Sequence, residues 1–158
     1  MKILYICTHN RCRSILSEAI TNQKANGYIT ARSAGSQPAG EVHPLSLKFL
    51  KLAGYVTDGL KSQSWDEFED FDPDVVVTVC DSAAAETCPV WFGKSVQVHW
   101  GLSDPSKVEG SEDAVATAFK ACIAEIELRV TQLSEVAMQA LPANEMRQAL
   151  LSLGAQVK

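Results

Sequence analysis

The chain has 158 residues, 46% of them hydrophobic, and its 14 basic side chains stand against 19 acidic ones for a net charge of -5. That length predicts one folding body burying about 70% of its unfolded surface, and the negative balance argues against nucleic acid or an anionic membrane as a partner. Met1-Lys2 leads straight into an apolar run, no stretch approaches membrane length, and five cysteines form an odd number without framework spacing; the expected setting is the cytosol, with no signal peptide and no disulfide-stapled secreted fold.

Strand-like apolar runs alternate with helical patterns along the chain, which predicts an α/β fold: a three-layer arrangement with a four-stranded parallel sheet flanked by helices. A strand is expected over 2–6, then a helix over 14–26 with Ile15, Leu16, Ala19 and Ile20 on its apolar side and Gly27 as its stop. A second strand falls around 29–33, and a helix over 44–53 stops at Gly54. The run Val75-Val76-Val77-Thr78-Val79 reads as a strand buried on both faces within 74–79. After a short helical stretch over 80–88 comes a fourth strand over 95–99. A long helix spans 112–138, and beyond Leu141-Pro142 a further helix is expected over 143–153. The expected organisation is a catalytic domain over 1–138 with a C-terminal helical extension over 139–158. Because ligands in open α/β sheets bind outside the carboxyl ends of the strands, three segments should meet: the one after Ile6, the one beginning at Cys80 and the one after His99.

The first of these reads Cys7-Thr8-His9-Asn10-Arg11-Cys12-Arg13-Ser14. A strand-to-helix loop leaves backbone N–H groups unpaired at the helix start, and together with the helix dipole these favour an anion. Thr8, His9, Asn10, Arg11, Cys12 and Arg13 are therefore the candidate oxyanion-binding residues. Cys7 at the floor is the candidate nucleophile, and its thiol is expected to ionise below its usual value beside Arg13. The guanidinium of Arg13 offers a planar fork for two oxygens, and Ser14 is expected to cap the helix or donate to the thiolate. The loop has no glycine, so Asn10 is the residue expected at positive φ.

The second segment carries Cys80 and Cys88 around an alanine-rich interior. In a helix, eight residues would separate them by about 12 Å, whereas a disulfide needs Cα atoms within about 7 Å. The pair is then either a redox switch that closes when the segment unwinds or two small buried residues; the spacing does not suit zinc. In the third segment Pro105 extends Asp104, suiting it to act as a general acid over the anion pocket. Cys12 and Cys122 are expected to pack as small core residues. His43, preceding Pro44, reads as structural, and His99 reads as the end of a strand.

CTHNRCRS, the SAGS at 33–36, VVVTVC at 75–80, the Cys88-Pro89 pair and HWGLSDP at 99–105 together resemble the arsenate reductases built on the low-molecular-weight tyrosine phosphatase fold. The likeness covers most of residues 1–138. It implies arsenate reduction, in which Cys7 attacks arsenate while Asp104 protonates the leaving oxygen, Cys80 then attacks Cys7 to release arsenite, and Cys88 takes over the disulfide from Cys80. It also implies thioredoxin as reductant, with glutaredoxin or glutathione as the alternative, arsenate, phosphate or sulfate as oxyanion ligands, no tightly bound cofactor, and a potassium ion near the loop at Asn10, Glu18, Ser33 and Asp66. The chain departs from the pattern in the bulk and charge of His9 and Arg11, in the interval between Cys80 and Cys88, and in its tail. A tyrosine phosphatase would use the same Cys7 and Asp104, but Ser106-Lys107 follow the Asp-Pro where phosphatases of this fold carry tyrosines. An oxyanion or redox sensor without turnover is the reading from a different class.

Overall fold

Residues 1–80 and 95–155 are described by the computed structural model. β1 (Lys2–Ile6) takes the centre of the sheet, with Ile3, Leu4, Tyr5 and Ile6 buried. It pairs in parallel with β2 (Thr30–Ala34) on one side and β3 (Val75–Thr78) on the other, and β4 (Val96–His99) pairs in parallel with β3, giving the order β2-β1-β3-β4. A strand covered on both faces has no polar side to alternate, which is why β1 and β3 read as continuous apolar runs.

Among the described residues, four α-helices flank the sheet: α1 (Arg13–Lys24), α2 (Pro44–Leu52), α3 (Glu112–Met138) and α4 (Ala143–Ala155). Ser111 caps α3 by accepting from the Ala114 N–H, and Phe119 of that helix stacks on Phe49 of α2 with ring centroids 4.7 Å apart. α1 lies against β2 and α3, and the Tyr5 hydroxyl meets Thr21 of α1 at 2.7 Å within the core. The C-terminal helix α4 lies against β4 and α3 and buries Leu150. None of the helices among the described residues is long and apolar enough to cross a membrane.

The predicted elements are present with small shifts at their ends. α1 begins one residue earlier than predicted and stops at Lys24, and Gly27 sits at φ 89 in the turn that follows. The 3-10 helix Trp65–Phe71 is not among the predicted elements, because its seven residues carry no helical apolar stripe. Its signal is the capping box Ser64 to Glu67, in which each side chain bonds the other's backbone. The helix predicted over 80–88 lies beyond Cys80, outside the described residues.

The sheet edge at the carboxyl ends is tied together strand by strand. Val79 N–H donates to the Ile6 carbonyl at 2.9 Å, Trp100 N–H to Thr78 at 2.8 Å and Leu102 N–H to Val79 at 3.1 Å. These bonds carry the chain leaving β1, β3 and β4 along one edge and so set Cys7, Cys80 and Asp104 around one place.

Candidate active site

The loop after β1 owes its shape to where its carbonyls go. The Thr8 carbonyl accepts from Gln37 N–H at 2.9 Å, His9 from Ala39 N–H at 3.0 Å and from the Ser62 hydroxyl at 3.1 Å, and Arg11 from His43 N–H at 2.9 Å and the Ser46 hydroxyl at 3.2 Å. A trans peptide sends its N–H opposite to its C=O, so the N–H groups of His9, Asn10 and Cys12 turn the other way, toward the cavity. The His9 N–H indeed bonds the Cys7 sulfur. Such a concave array of amides is an anion-binding nest. Asn10 holds the left-handed turn at φ 47, as the sequence predicts.

Cys7, Thr8, His9, Arg11, Cys12 and Arg13 all line a cavity of about 200 Å³, together with Cys80 and Asp104. Asn10 belongs to the loop but not to this lining. Its buried amide donates to the Ser14 hydroxyl at 2.8 Å and its Oδ1 accepts from Gln63 N–H at 2.9 Å, so it holds the loop from behind. Of the two roles expected of Ser14, capping is corrected: α1 starts at Arg13 with Cys12 at the cap position, and the buried Ser14 hydroxyl accepts the Asn10 amide from inside the first turn, its own hydrogen left to donate.

Arg13 reaches across the cavity. Its Nη1 donates to the Leu102 carbonyl at 2.8 Å and its Nη2 lies 3.5 Å from Asp104 Oδ2, while among the described residues the buried Nε has no partner. A buried guanidinium N–H left unsatisfied at the rim of an amide nest is an acceptor's place. Asp104 is held by its own turn, with Oδ1 accepting from the Ser106 N–H at 2.9 Å and the Ser106 hydroxyl at 2.6 Å. Oδ2 is left on the cavity side, beside Arg13.

Cys7 and Cys80 are buried reduced thiols in hydrogen-bond contact, and Thr8 Oγ1 stands 3.8 Å from the Cys80 sulfur. This contact reverses the expected ionisation of Cys7. Its thiol is pushed up, first by the hydrogen bond with Cys80, then by burial and by the charge on Cys80, against smaller downward pulls from Arg13 and the His9 N–H. Two adjacent thiols do not both ionise readily; the sequence brings the two segments to one sheet edge but does not show the closeness of the two sulfurs. Cys12 and Cys122 are buried as expected, their thiols pushed up to about 11 and about 12, chiefly by burial. Cys88 lies outside the described residues.

A buried polar chain runs behind the loop. Gln63 Nε2 donates to the Ser33 carbonyl at 3.2 Å, and the Ser33 hydroxyl donates to Glu18 Oε1 at 2.5 Å. Burial raises the Glu18 carboxyl, more than the Ser33 hydroxyl and the Arg32 charge lower it. Gln63 thus links Asn10 to Ser33, and Ser33 links on to Glu18, in one buried chain behind the loop. Asp66 does not join them. It is exposed, its N–H donates to Ser64, and the residue that bridges Asn10 to Ser33 is Gln63.

Gly35 is a contributor whose role the sequence alone does not reveal. A Cβ there would stand 2.5 Å from the Thr8 carbonyl oxygen and 2.6 Å from that of Cys7, both backbone atoms that cannot swing aside. Gly35→Ala is expected to displace the loop, destabilising the protein by about 1–3 kcal/mol and weakening inorganic phosphate binding. Denaturant unfolding and calorimetric titration with phosphate check the two effects.

The sequence matches the family described as low molecular weight phosphotyrosine protein phosphatase over residues 2–146. An arsenate reductase of Halalkalibacterium halodurans is 32% identical over 133 residues, 84% of this chain and 94% of that protein. Among solved structures, an arsenate reductase in the phosphate binding state superposes with a TM-score of 0.71 at 25% identity, covering 85% of this chain and 96% of that one. A thioredoxin-dependent arsenate reductase of Corynebacterium glutamicum gives a TM-score of 0.68 at 27% identity over 89% of this chain, which spans 63% of that one. Matched to that family over residues 2–146, nearly its whole length, the chain belongs to the low-molecular-weight phosphotyrosine protein phosphatase family.

Proposed function

We propose that this protein reduces arsenate to arsenite through a cysteinyl arsenate adduct and a relay of thiol-disulfide exchanges. The observation that carries the reading is the contact between the Cys7 and Cys80 thiols on the wall of an oxyanion cavity. Hydrolysis of a phosphate ester requires one thiol; a two-electron reduction requires a second, and a second thiol of the same chain in the same cavity supplies it without an external one.

In this reading the amide nest and Arg13 hold arsenate, and the Cys7 thiolate attacks arsenic as Asp104 protonates the departing oxygen, which leaves as water. Cys80 then attacks the Cys7 sulfur. The S–As bond breaks, its electron pair stays on arsenic, and arsenite leaves as the Cys7–Cys80 disulfide forms. Cys88 attacks Cys80 in turn and frees Cys7. The resulting Cys80–Cys88 disulfide is reduced by thioredoxin, with glutaredoxin and glutathione as the alternative donor. A potassium ion held by Asn10, Glu18 and Ser33 would neutralise the buried carboxylate and stiffen the support of the loop. The same Cys7, Arg13 and Asp104 support slow hydrolysis of aryl phosphates as a side activity.

The test is a coupled assay following NADPH oxidation with arsenate and either the thioredoxin or the glutaredoxin system. Oxidation with neither would reject the reductase reading. Within this scheme Asp104→Asn keeps the oxygen that accepts from Ser106 and removes only the acid. It is expected to lower aryl phosphate turnover by roughly 10² to 10⁴, and the limb of the pH-rate profile that reports the acid should vanish.

A further inference from the structure

His43 lines the cavity beside the loop. His43 stands at the N-cap of α2, where its Nδ1 accepts from the Leu45 N–H at 3.1 Å, and its own N–H donates to the Arg11 carbonyl of the loop at 2.9 Å. An imidazole nitrogen that accepts carries no hydrogen, so the hydrogen sits on Nε2. Burial and the nearby Arg11 charge hold the ring's pKa down, more than Asp104 raises it, which keeps the ring neutral. The same ring forms part of the cavity wall with Cys7, Arg13, Asp104 and Lys107. Among the described residues Nε2–H has no acceptor.

We propose that His43 is a specificity-determining residue of the oxyanion pocket, its Nε2–H donating to the outward oxygen of a bound inorganic oxyanion. The inference rests on the reading of this cavity as an oxyanion site. A nucleophile at the floor attacks in line with the oxygen that leaves, so that oxygen points to the mouth, between His43 and Asp104. In arsenate or phosphate it is a bare oxygen or hydroxyl and a good acceptor. In an aryl ester it carries the ring, is a weak acceptor, and needs the space that His43 occupies. His43 therefore favours the unesterified anion over the ester, and does so as a neutral donor whose tautomer is set by a helix cap.

His43→Asn separates this role from capping, because asparagine is a strong N-cap but is too short to present a donor where Nε2 stands. Calorimetric titration with inorganic phosphate and with arsenate, KM for p-nitrophenyl phosphate, and thermal unfolding are measured for the wild type, His43→Asn and His43→Ala. For His43→Asn the expected result is an unchanged Tm, phosphate and arsenate bound about tenfold more weakly, and a lower KM for the ester, whose ring gains the space the imidazole held. His43→Ala should show the same loss of anion binding together with a lower Tm. Phosphate binding by His43→Asn as tight as the wild type's, or equal weakening of anion and ester, would overturn the proposal. Wild-type protein that binds neither anion would instead overturn the oxyanion site on which it rests.

Discussion

Cys7→Ser is expected to abolish arsenate reduction and p-nitrophenyl phosphate hydrolysis together, each by on the order of 10⁴-fold or more, as when a nucleophile is removed from a catalytic unit. One thiolate opens both reactions, because both begin with attack on a tetrahedral centre held by the same amide nest. A hydroxyl in its place is a far weaker nucleophile at neutral pH. The pocket itself should survive. The loop carbonyls remain tied to Gln37, Ala39 and His43, and the Cys7 side chain supplies none of those bonds, so the variant should still bind inorganic phosphate. Either activity persisting near the wild-type rate would remove Cys7 from the centre of the mechanism, and loss of phosphate binding as well would show that the loop had collapsed.

The second large effect divides Cys80 from Cys88. Cys80 lines the same cavity as Cys7, so in the proposed scheme it is the thiol placed to resolve the arsenylated enzyme. Cys88→Ser should accordingly release about one arsenite per enzyme and then stall, with mass mapping finding Cys7 bonded to Cys80. Cys80→Ser should stop a step earlier, with Cys7 arsenylated or waiting for an external thiol. Repeated turnover by Cys88→Ser with thioredoxin as sole reductant would falsify the relay. It would favour a mechanism in which a small thiol such as glutathione resolves Cys7 directly.

The chemistry of the loop was legible because its information is local. A thiol closing a buried strand, an arginine beside the start of the next helix and an asparagine suited to the left-handed turn are a nucleophile, a guanidinium and a hinge wherever the chain goes, and Asn10 at φ 47 bears out the hinge. The strands were legible for a related reason: burial on both faces leaves an unbroken apolar run such as Val75-Val76-Val77.

Contacts between distant segments were not legible in the same way. The roles of Gly35, Gln63 and His43 depend on which backbone atoms arrive beside them from the Cys7 loop, and a glycine, a glutamine and a capping histidine look ordinary in sequence. The Asp66 assignment failed for this reason. Three residues separate it from Gln63, and only the path of the chain past Gly35 and Ser64 decides which of the two faces Asn10. Ser14 likewise reads as a cap until the helix is seen to begin at Arg13.

By itself the sequence determined the α/β class, the order of the strands and helices along the chain, the candidate nucleophile and the anion-seeking character of its loop, because periodicity, side-chain chemistry and helix-end electrostatics act over a few residues. Only the tertiary structure decided that the Cys80 thiol lies beside Cys7, that Arg13 keeps a buried Nε–H with no partner among the described residues, and that His43 and Asp104 line one cavity. These are separations between segments tens of residues apart. They are set by the parallel register of β1, β3 and β4, which sends three chain crossings out of the same edge of the sheet.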